Sequence, residues 1–276
     1  MIYVIGGRGR LGRAIAGSYP ACDVEILERS VYEDWWQSGS DSRIRRYFEG
    51  APPGSSVAVT AGVLDPAAPE AEHRRVNVEL PANIIAGACA ARLRVLTFGT
   101  VMERLIAHPN AYVASKAELG RIVAERAAAG DPVVHAQVHT LYGGGTPSPH
   151  MFVGQIAHAL RQKVPFEMSP GRQLREYHHV DDEVAAVHAL LETGLAGVVT
   201  LSHGAPCTLR DLAAHVFAAF GRQELLRIGA RPEPPDDNYA TVLQHPTWLA
   251  HVDFRPALPG VATYLQELLS DVQQQA

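Results

Sequence analysis

Cysteine is scarce in this 276-residue chain: Cys22, Cys89 and Cys207 are odd in number and far apart. They suit buried or free thiols in a reducing compartment better than a disulfide framework. Long apolar runs are missing as well. No window approaches the ~20 apolar residues of a membrane span, and the apolar start Met1–Ile5 is too short for the core of a signal peptide. Positive charge is not in excess: 24 Lys and Arg against 29 Asp and Glu leave a formal net charge of −5. This removes the electrostatic case for a nucleic acid or an anionic membrane as partner. Thirteen histidines are present, including His135 and His139 on one strand face and the neighbours His178 and His179. No set of Cys, His and carboxylates has zinc-type spacing, so packed or hydrogen-bonded histidines, and no metal, are the expectation. What remains is ordinary globular composition, 47% apolar and 19% charged, ample for a core. The expectation is a soluble, cytoplasmic protein.

The first half alternates apolar strand runs with helical stretches. Ile2–Ile5, Val24–Leu27, Ser56–Thr60, Arg94–Phe98 and Val133–Leu141 read as strands. Leu11–Tyr19, Arg74–Ala91 and Ala111–Ala129 read as helices. This alternation predicts an α/β fold, a Rossmann-type doubly wound parallel sheet whose strand ends share one ligand edge. After Gly143-Gly144-Gly145 the helices shorten, as at Phe152–Gln162 and Leu209–Phe220, and Val198–Leu201 reads as a strand returning to the sheet. The expected division is a dinucleotide-binding domain over 1–145, rejoined by about 180–202, and a smaller C-terminal substrate-binding domain over 146–179 and 203–276.

Directly after the first strand, Gly6, Gly9 and Gly12 are spaced three apart and open a helix. Glycine there permits the tight turn and the approach of backbone amides to a pyrophosphate, and the helix N-terminus adds partial positive charge. Gly6, Arg8, Gly9, Arg10, Leu11 and Gly12 are therefore assigned to a dinucleotide cofactor, as are Thr60 and Ala61 at the end of the third strand. At the end of the second strand Glu28 and Arg29 occupy the ribose-reading position, and two readings conflict. Glu28 accepting both ribose hydroxyls favours NAD. Arg8 with Arg29 and Ser30 around a 2′-phosphate favours NADP, provided that Glu28 points away. NADP is the preferred reading and NAD the alternative.

Tyr112 and Lys116 lie four apart on the helix that Asn110 caps, and so share a face. A free phenol, with a pKa near ~10, is a sluggish acid at neutral pH. A neighbouring ammonium stabilises the phenolate, so that Tyr112 can exchange a proton with a carbinol or ketone oxygen while hydride moves to or from a nicotinamide.

With these motifs in place the chain resembles the extended short-chain dehydrogenases/reductases, the family of NAD(P)-dependent nucleotide-sugar epimerases, dehydratases and ketoreductases. Gly6-x-x-Gly9-x-x-Gly12 and Tyr112-x-x-x-Lys116 match its turn and active site. Val76-Asn77-Val78 with Ala82-Asn83-Ile84-Ile85 and Leu141-Tyr142-Gly143 resemble further family segments. Arg175-Glu176-Tyr177-His178-His179-Val180-Asp181-Asp182 resembles the family's Arg-Asp-Phe-Val-His-Val-Asp-Asp. The resemblance implies that Arg175 contacts the nucleotide or diphosphate of a sugar carrier, that His179 orients this loop, and that Tyr142 and Thr97 face substrate. It also implies a homodimer, because the helices Arg74–Ala91 and Ala111–Ala129 are apolar on more than one face and such helices pair across a two-fold in this family.

Departures sharpen the reading. Matching on Val101 puts Phe98 where the family has its catalytic hydroxyl, whereas Thr100 lies 12 residues before Tyr112, the spacing of the shorter branch of the family. Thr100 is therefore taken as the hydroxyl that holds the substrate oxygen, with Thr97 second. Gly99 and Val101 cannot supply the paired carboxylates of a 4,6-dehydratase, and Gln137-Val138 replaces the usual Arg-Pro near the nicotinamide. The leading expectation is an NADP-dependent 4-ketoreductase acting on a nucleotide sugar, with Tyr112, Lys116 and Thr100 catalytic. The alternatives are a 4-epimerase with tightly bound NAD and a catalytically impaired dinucleotide-binding protein.

Overall fold

The computed structural model describes residues 1–65 and 67–274. Its first elements are β1 (Ile2–Ile5), α1 (Arg10–Gly17), β2 (Val24–Leu27), α2 (Arg29–Tyr32), α3 (Asp41–Phe48) and β3 (Ser56–Val59). There follow α4 (Glu70–Arg74), a π-helical turn (Arg75–Glu79), α5 (Leu80–Ala90), β4 (Arg94–Thr100), α6 (Met102–Leu105), α7 (Ala111–Ala128) and β5 (Val133–Val138). Then come β6 (Thr140–Tyr142), α8 (Phe152–Gln162), β7 (Phe166–Met168), β8 (Leu174–Arg175), β9 (Tyr177–His179) and α9 (Val180–Thr193). The chain closes with β10 (Gly197–Thr200), β11 (Cys207–Thr208), α10 (Leu209–Ala219), β12 (Leu226–Ile228) and α11 (Ala257–Gln274). It divides into two compact units. The first holds Met1–Arg104, His108–Val138 and Val187–Leu201; the second holds Leu105–Ala107, His139–Ala186 and Ser202–Ala276. The boundaries thus fall at 138 and 187, where the sequence suggests 145 and about 180.

In the first unit six strands form one parallel sheet in the order β10-β5-β4-β3-β1-β2. All four residues of β1 are buried, as are Val95–Gly99 of β4, the continuous apolar texture of strands covered on both faces. Because every strand points the same way, the glycine turn after β1, Thr60 after β3 and Thr100 at the end of β4 lie on one edge. The strand order reverses between β1 and β3, which opens the ligand crevice of a Rossmann-type sheet at that edge.

The apolar second face of α5 has a partner inside the chain. A Cβ on Gly87 would stand 2.6 Å from Ile44 Cβ of α3 and 2.6 Å from the Asp41 carbonyl, so only glycine lets the two helices approach this closely. Asn83 donates to the carbonyls of Trp35 (2.8 Å) and Gln37 (2.9 Å) and pins the segment that leads into α3. Under it Trp35, Ile44 and Phe48 are fully buried, with Phe48 edge-on to Tyr3 at 5.1 Å.

The predicted strand Val133–Leu141 is two strands. β5 belongs to the six-stranded sheet, whereas β6 pairs in parallel with β9 in the second unit, Thr140 opposite Tyr177 and Tyr142 opposite His179. The break falls at His139, where the chain changes units. The core of the second unit packs α8, α10 and α11 around the β7–β12 pair, with Phe166 stacked on Phe217 at 5.7 Å and Leu212, Val216, Val261 and Leu265 fully buried. The last helix runs to Gln274; Gln275 and Ala276 lie outside the described residues.

Candidate active site

At Gly6 and Gly12 the turn leaves no room for a side chain. Gly6 adopts φ +91°, and a Cβ there would meet the Ala61 amide nitrogen at 2.4 Å. A Cβ on Gly12 would meet the Gly6 carbonyl at 2.5 Å and Thr60 Oγ1 at 2.6 Å. Thr60 closes the arrangement: its amide and hydroxyl and the Ala61 amide all donate to the Ile5 carbonyl, at 2.8, 2.9 and 3.0 Å. Gly9, the N-cap of α1, has no side chain to cap the first-turn amides, which suits an anion at the helix N-terminus. Arg10 and Leu11 follow in that first turn.

At the end of β2, Glu28 faces this turn. Arg8 donates to Glu28 Oε2 at 3.1 Å, and both side chains are exposed. The 2′-phosphate reading requires Glu28 to point away; the pairing shows the opposite orientation. The opposite charges of Arg8 and Glu28 pair there. Arg29 and Ser30 are exposed in α2 beside it.

Asn110 caps α7 by accepting from the Val113 amide at 3.0 Å. Lys116, two turns in, is buried, and its Nζ donates to the Phe98 carbonyl at 2.9 Å. A Cβ built on Gly62 would lie 3.5 Å from this Nζ. Since Gly6 abuts Ala61, the chain from the glycine turn to Lys116 is continuous along the strand-end edge. Burial pushes the ammonium down to about 8, against the opposing pull of Glu103. Tyr112 is partly buried one turn earlier. Burial, and after it the Glu103 carboxylate, push the phenol up to about 12. The chain alone therefore keeps Tyr112 protonated, where the sequence argument has Lys116 lowering its pKa. Lys116 spends one of its three N–H donors on a backbone carbonyl, and Glu103 adds negative charge that the sequence reading omitted.

Glu103 is the residue that sequence reasoning missed. It accepts from the Thr100 amide (2.6 Å) and from Gln137 Nε2 (2.9 Å), and its Oε1 lies 3.3 Å from His135 Nε2. Burial raises its pKa, but these donors more than offset that and hold it below the usual carboxylate range. Glycine at 99 makes room: a Cβ there would meet Glu103 Oε1 and His135 Nε2, both at 2.2 Å. No local signal marks Glu103, because its partners come from β4 and β5. Thr97 belongs to the same network and not to an open surface. It is 1% exposed, 2.8 Å from His135 Nδ1, and donates to the Val134 carbonyl at 3.3 Å. Thr100 is half-buried, and its Oγ1 accepts from the Met102 amide at 3.3 Å, which leaves the hydroxyl proton to donate elsewhere. Phe98 is buried and contributes its carbonyl to Lys116.

Asn77 also enters, and it stands in the π-helical turn, a local widening that often marks a functional position. It clamps Val63 through both backbone groups (2.9 and 3.0 Å) and donates to Ser115 Oγ at 3.0 Å, whose hydroxyl donates to the Tyr112 carbonyl at 2.7 Å. The segment after β3 is thereby tied to the turn of α7 that carries the tyrosine. Its signal in the sequence is the Val76-Asn77-Val78 segment.

The remaining predicted site residues lie in the second unit. Arg175 is paired with Asp237 at 2.5 Å and donates to the Leu174 carbonyl at 2.8 Å. His179 accepts from the Asp181 amide at 3.2 Å, and its ring stands 5.2 Å from that of Tyr142. With Arg255 and Glu267 these two line a cavity of about 400 Å³. Asp182 is buried and accepts from the Arg255 amide at 2.8 Å.

The pattern of the NAD dependent epimerase/dehydratase family matches residues 2–200. No curated protein matches the chain in sequence. Among solved structures the chain is similar to MoeE5 in complex with UDP-glucose and NAD, with TM-score 0.77 and 18% identity over 98% of this chain and 99% of that one. It is similar to the UDP-glucose 4-epimerase of Thermus thermophilus in complex with NAD, with TM-score 0.71 and 20% identity over 96% and 97%. The dTDP-4-dehydrorhamnose reductase of Bacillus anthracis in complex with NADP gives TM-score 0.74 and 14% identity over 96% and 98%. The glycine turn, the switch point of the parallel sheet and the buried lysine one helical turn from a tyrosine agree with the match over 2–200: the chain belongs to the NAD-dependent epimerase/dehydratase family.

Proposed function

We propose that this protein is an NAD(P)-dependent oxidoreductase that reduces a 4-keto group on a nucleotide-linked sugar. The observation that carries the reading is the placement of Lys116, buried beside Gly62 on the strand-end edge and one turn from a tyrosine that keeps its proton. A phenol that holds its proton is suited to give it to a developing alkoxide. When bound, NAD(P)H would supply hydride to the keto carbon. Tyr112 donates its proton to the oxygen, Lys116 holds the cofactor ribose and compensates the phenolate left behind, and the Thr100 hydroxyl positions the carbonyl. Glu103 is satisfied by donors within the fold, which supports reduction over a dehydration that needs a mobile acid and base. The neighbours named above, which include a reductase and a complex with a nucleotide sugar, support the substrate class.

The test is anaerobic mixing of the protein, NADH or NADPH and a 4-keto-6-deoxy nucleotide sugar. Wild type bleaches the nicotinamide absorbance, and Tyr112→Phe loses about 10²–10⁴-fold in rate. Equal rates in the two would remove the mechanism.

A second reading, a 4-epimerase that retains NAD and returns hydride to the same carbon, is favoured by Glu28. A carboxylate turned toward the glycine turn suits the two ribose hydroxyls of NAD and repels a 2′-phosphate. On this ground NAD becomes the preferred cofactor and NADP the alternative. Stoichiometric NAD in the purified protein, with epimerisation and no net cofactor consumption, distinguishes this reading from the first.

A further inference from the structure

The second unit contains a buried cluster that neither the dinucleotide nor the sugar chemistry uses. Glu176 is at its centre. Its Oε2 lies 3.2 Å from His178 Nε2, 3.5 Å from His139 Nε2 and 3.7 Å from His203 Nε2. The donor atoms of His139, Glu176 and His178 all fall within 4.8 Å of one another, and all three residues are essentially shielded from solvent. Pairing of β6 with β9 assembles the group: Thr140 stands opposite Tyr177, so His139 is brought beside Glu176, and His178 is two residues further along the same strand. No sequence spacing reveals a set whose members are joined by a strand pairing.

Hydrogen bonding within the protein leaves this cluster incomplete. His139 Nε2 and His203 Nε2 are buried without a hydrogen-bond partner, although both are within ionic reach of the carboxylate. Orphaned buried nitrogens are costly.

We propose that His139, Glu176 and His178 form a binding site for a divalent transition metal of the zinc type. Donor atoms on a tetrahedron of ~2.1 Å radius lie about 3.4 Å apart, close to the 3.2 and 3.5 Å seen here. Two imidazoles and one carboxylate form a donor set that holds zinc with a fourth, open position. The outer partners have the required polarity. His178 Nδ1 lies 2.7 Å from Glu183 Oε2, the carboxylate–histidine arrangement that fixes the tautomer of a ligating ring. Ser202 Oγ donates to Glu176 Oε1 at 2.7 Å, and the His203 amide donates to Oε2 at 2.8 Å. His203 is not a fourth ligand. Its Nδ1 accepts from the Ala205 amide at 3.2 Å, so Nε2 carries the ring proton and faces the open position as a donor to bound water. Phe254 packs on His178 at 4.7 Å and on His203 at 5.4 Å and supplies an apolar wall. A dication also balances the two carboxylates. The assignment departs from the expectation of no metal drawn from histidine spacing, and it stands apart from the reductase reading.

The full chain, stripped with a chelator and dialysed, is titrated with Zn²⁺ or Co²⁺ alone. The expected result is one equivalent bound per chain, a four-coordinate cobalt visible spectrum, and zinc X-ray absorption showing two imidazoles. Zinc then raises Tm by about 5 °C or more, and His139→Ala weakens binding at least ~100-fold while His203→Asn weakens it about tenfold. If His139→Ala does not fold, the absorption spectrum of the wild type still decides. No stoichiometric uptake by the folded wild type, a metal environment without imidazole, or affinity unchanged in a folded His139→Ala chain overturns the site.

Discussion

Lys116 illustrates how one side chain can serve chemistry at the expense of stability. Its ammonium is buried with a single carbonyl partner and is pushed down to about 8 from 10.5. A depressed folded value means that its contribution to stability is complete above pH 10.5 and is lost as pH falls through about 8. At neutral pH the residue is therefore a burden, and Lys116→Met should abolish turnover yet raise unfolding free energy by on the order of 1–2 kcal/mol. Urea melts at neutral pH and near pH 10 check the sign: the advantage of the variant shrinks as pH rises. Glu28 offers a second single-residue test. Glu28→Ala removes the carboxylate that Arg8 turns toward the glycine loop, so the ratio of NADP to NAD affinity should rise about tenfold, as read by calorimetry. A ratio that does not move, or that falls, would remove Glu28 as the ribose-reading group. Tyr112 and Lys116 are proposed from their spacing, and Thr100 from the family resemblance. Glu103 was not legible in the sequence, because a carboxylate three residues past Thr100 acquires meaning only when β5 brings His135 and Gln137 to it.

The turn between β1 and α1 is the element to which we assign cofactor binding. Gly12→Ala places a Cβ 2.5 Å from a backbone carbonyl and 2.6 Å from Thr60 Oγ1. Backbone cannot yield as a side-chain tip can, so the variant should lose about 2 kcal/mol or more of stability and at least ~30-fold in dinucleotide affinity. Titration of the variant with NAD, together with its urea melt, measures both. Gly17→Ala, in the same helix with nothing near its Cβ, is the control and should be neutral or slightly stabilising. The elements of the Rossmann sheet were legible because alternation of buried strands and helices is a local pattern, and β1, β2 and α8 have the bounds predicted. The Val133–Leu141 run was not legible as two strands. No glycine or proline interrupts it, and only the partners, β4 for one half and β9 for the other, separate them. Helix α3 was missed for a related reason: Ile44 and Phe48 are its only buried residues, too few for a periodic signal.

For the molecule as a whole, a dinucleotide that binds the folded chain alone must stabilise it by mass action. NAD at about 100 times its Kd should add ~2.7 kcal/mol, a rise in Tm of several degrees that grows with the logarithm of concentration. Differential scanning fluorimetry across a cofactor series reads it, and a flat series with both NAD and NADP would contradict the family's cofactor here. No helix among the described residues is long and apolar enough to cross a membrane, in line with the missing apolar runs. The class of sheet, the glycine turn and the shared face of Tyr112 and Lys116 follow from composition and short-range spacing, since steric and periodic constraints act between residues close in the chain. The titration of Tyr112 and Lys116, the orientation of Glu28 toward Arg8 and the gathering of His139, Glu176 and His178 required the folded chain. Desolvation and Coulomb interactions depend on distance in space, and strand pairing places together side chains that no sequence interval relates.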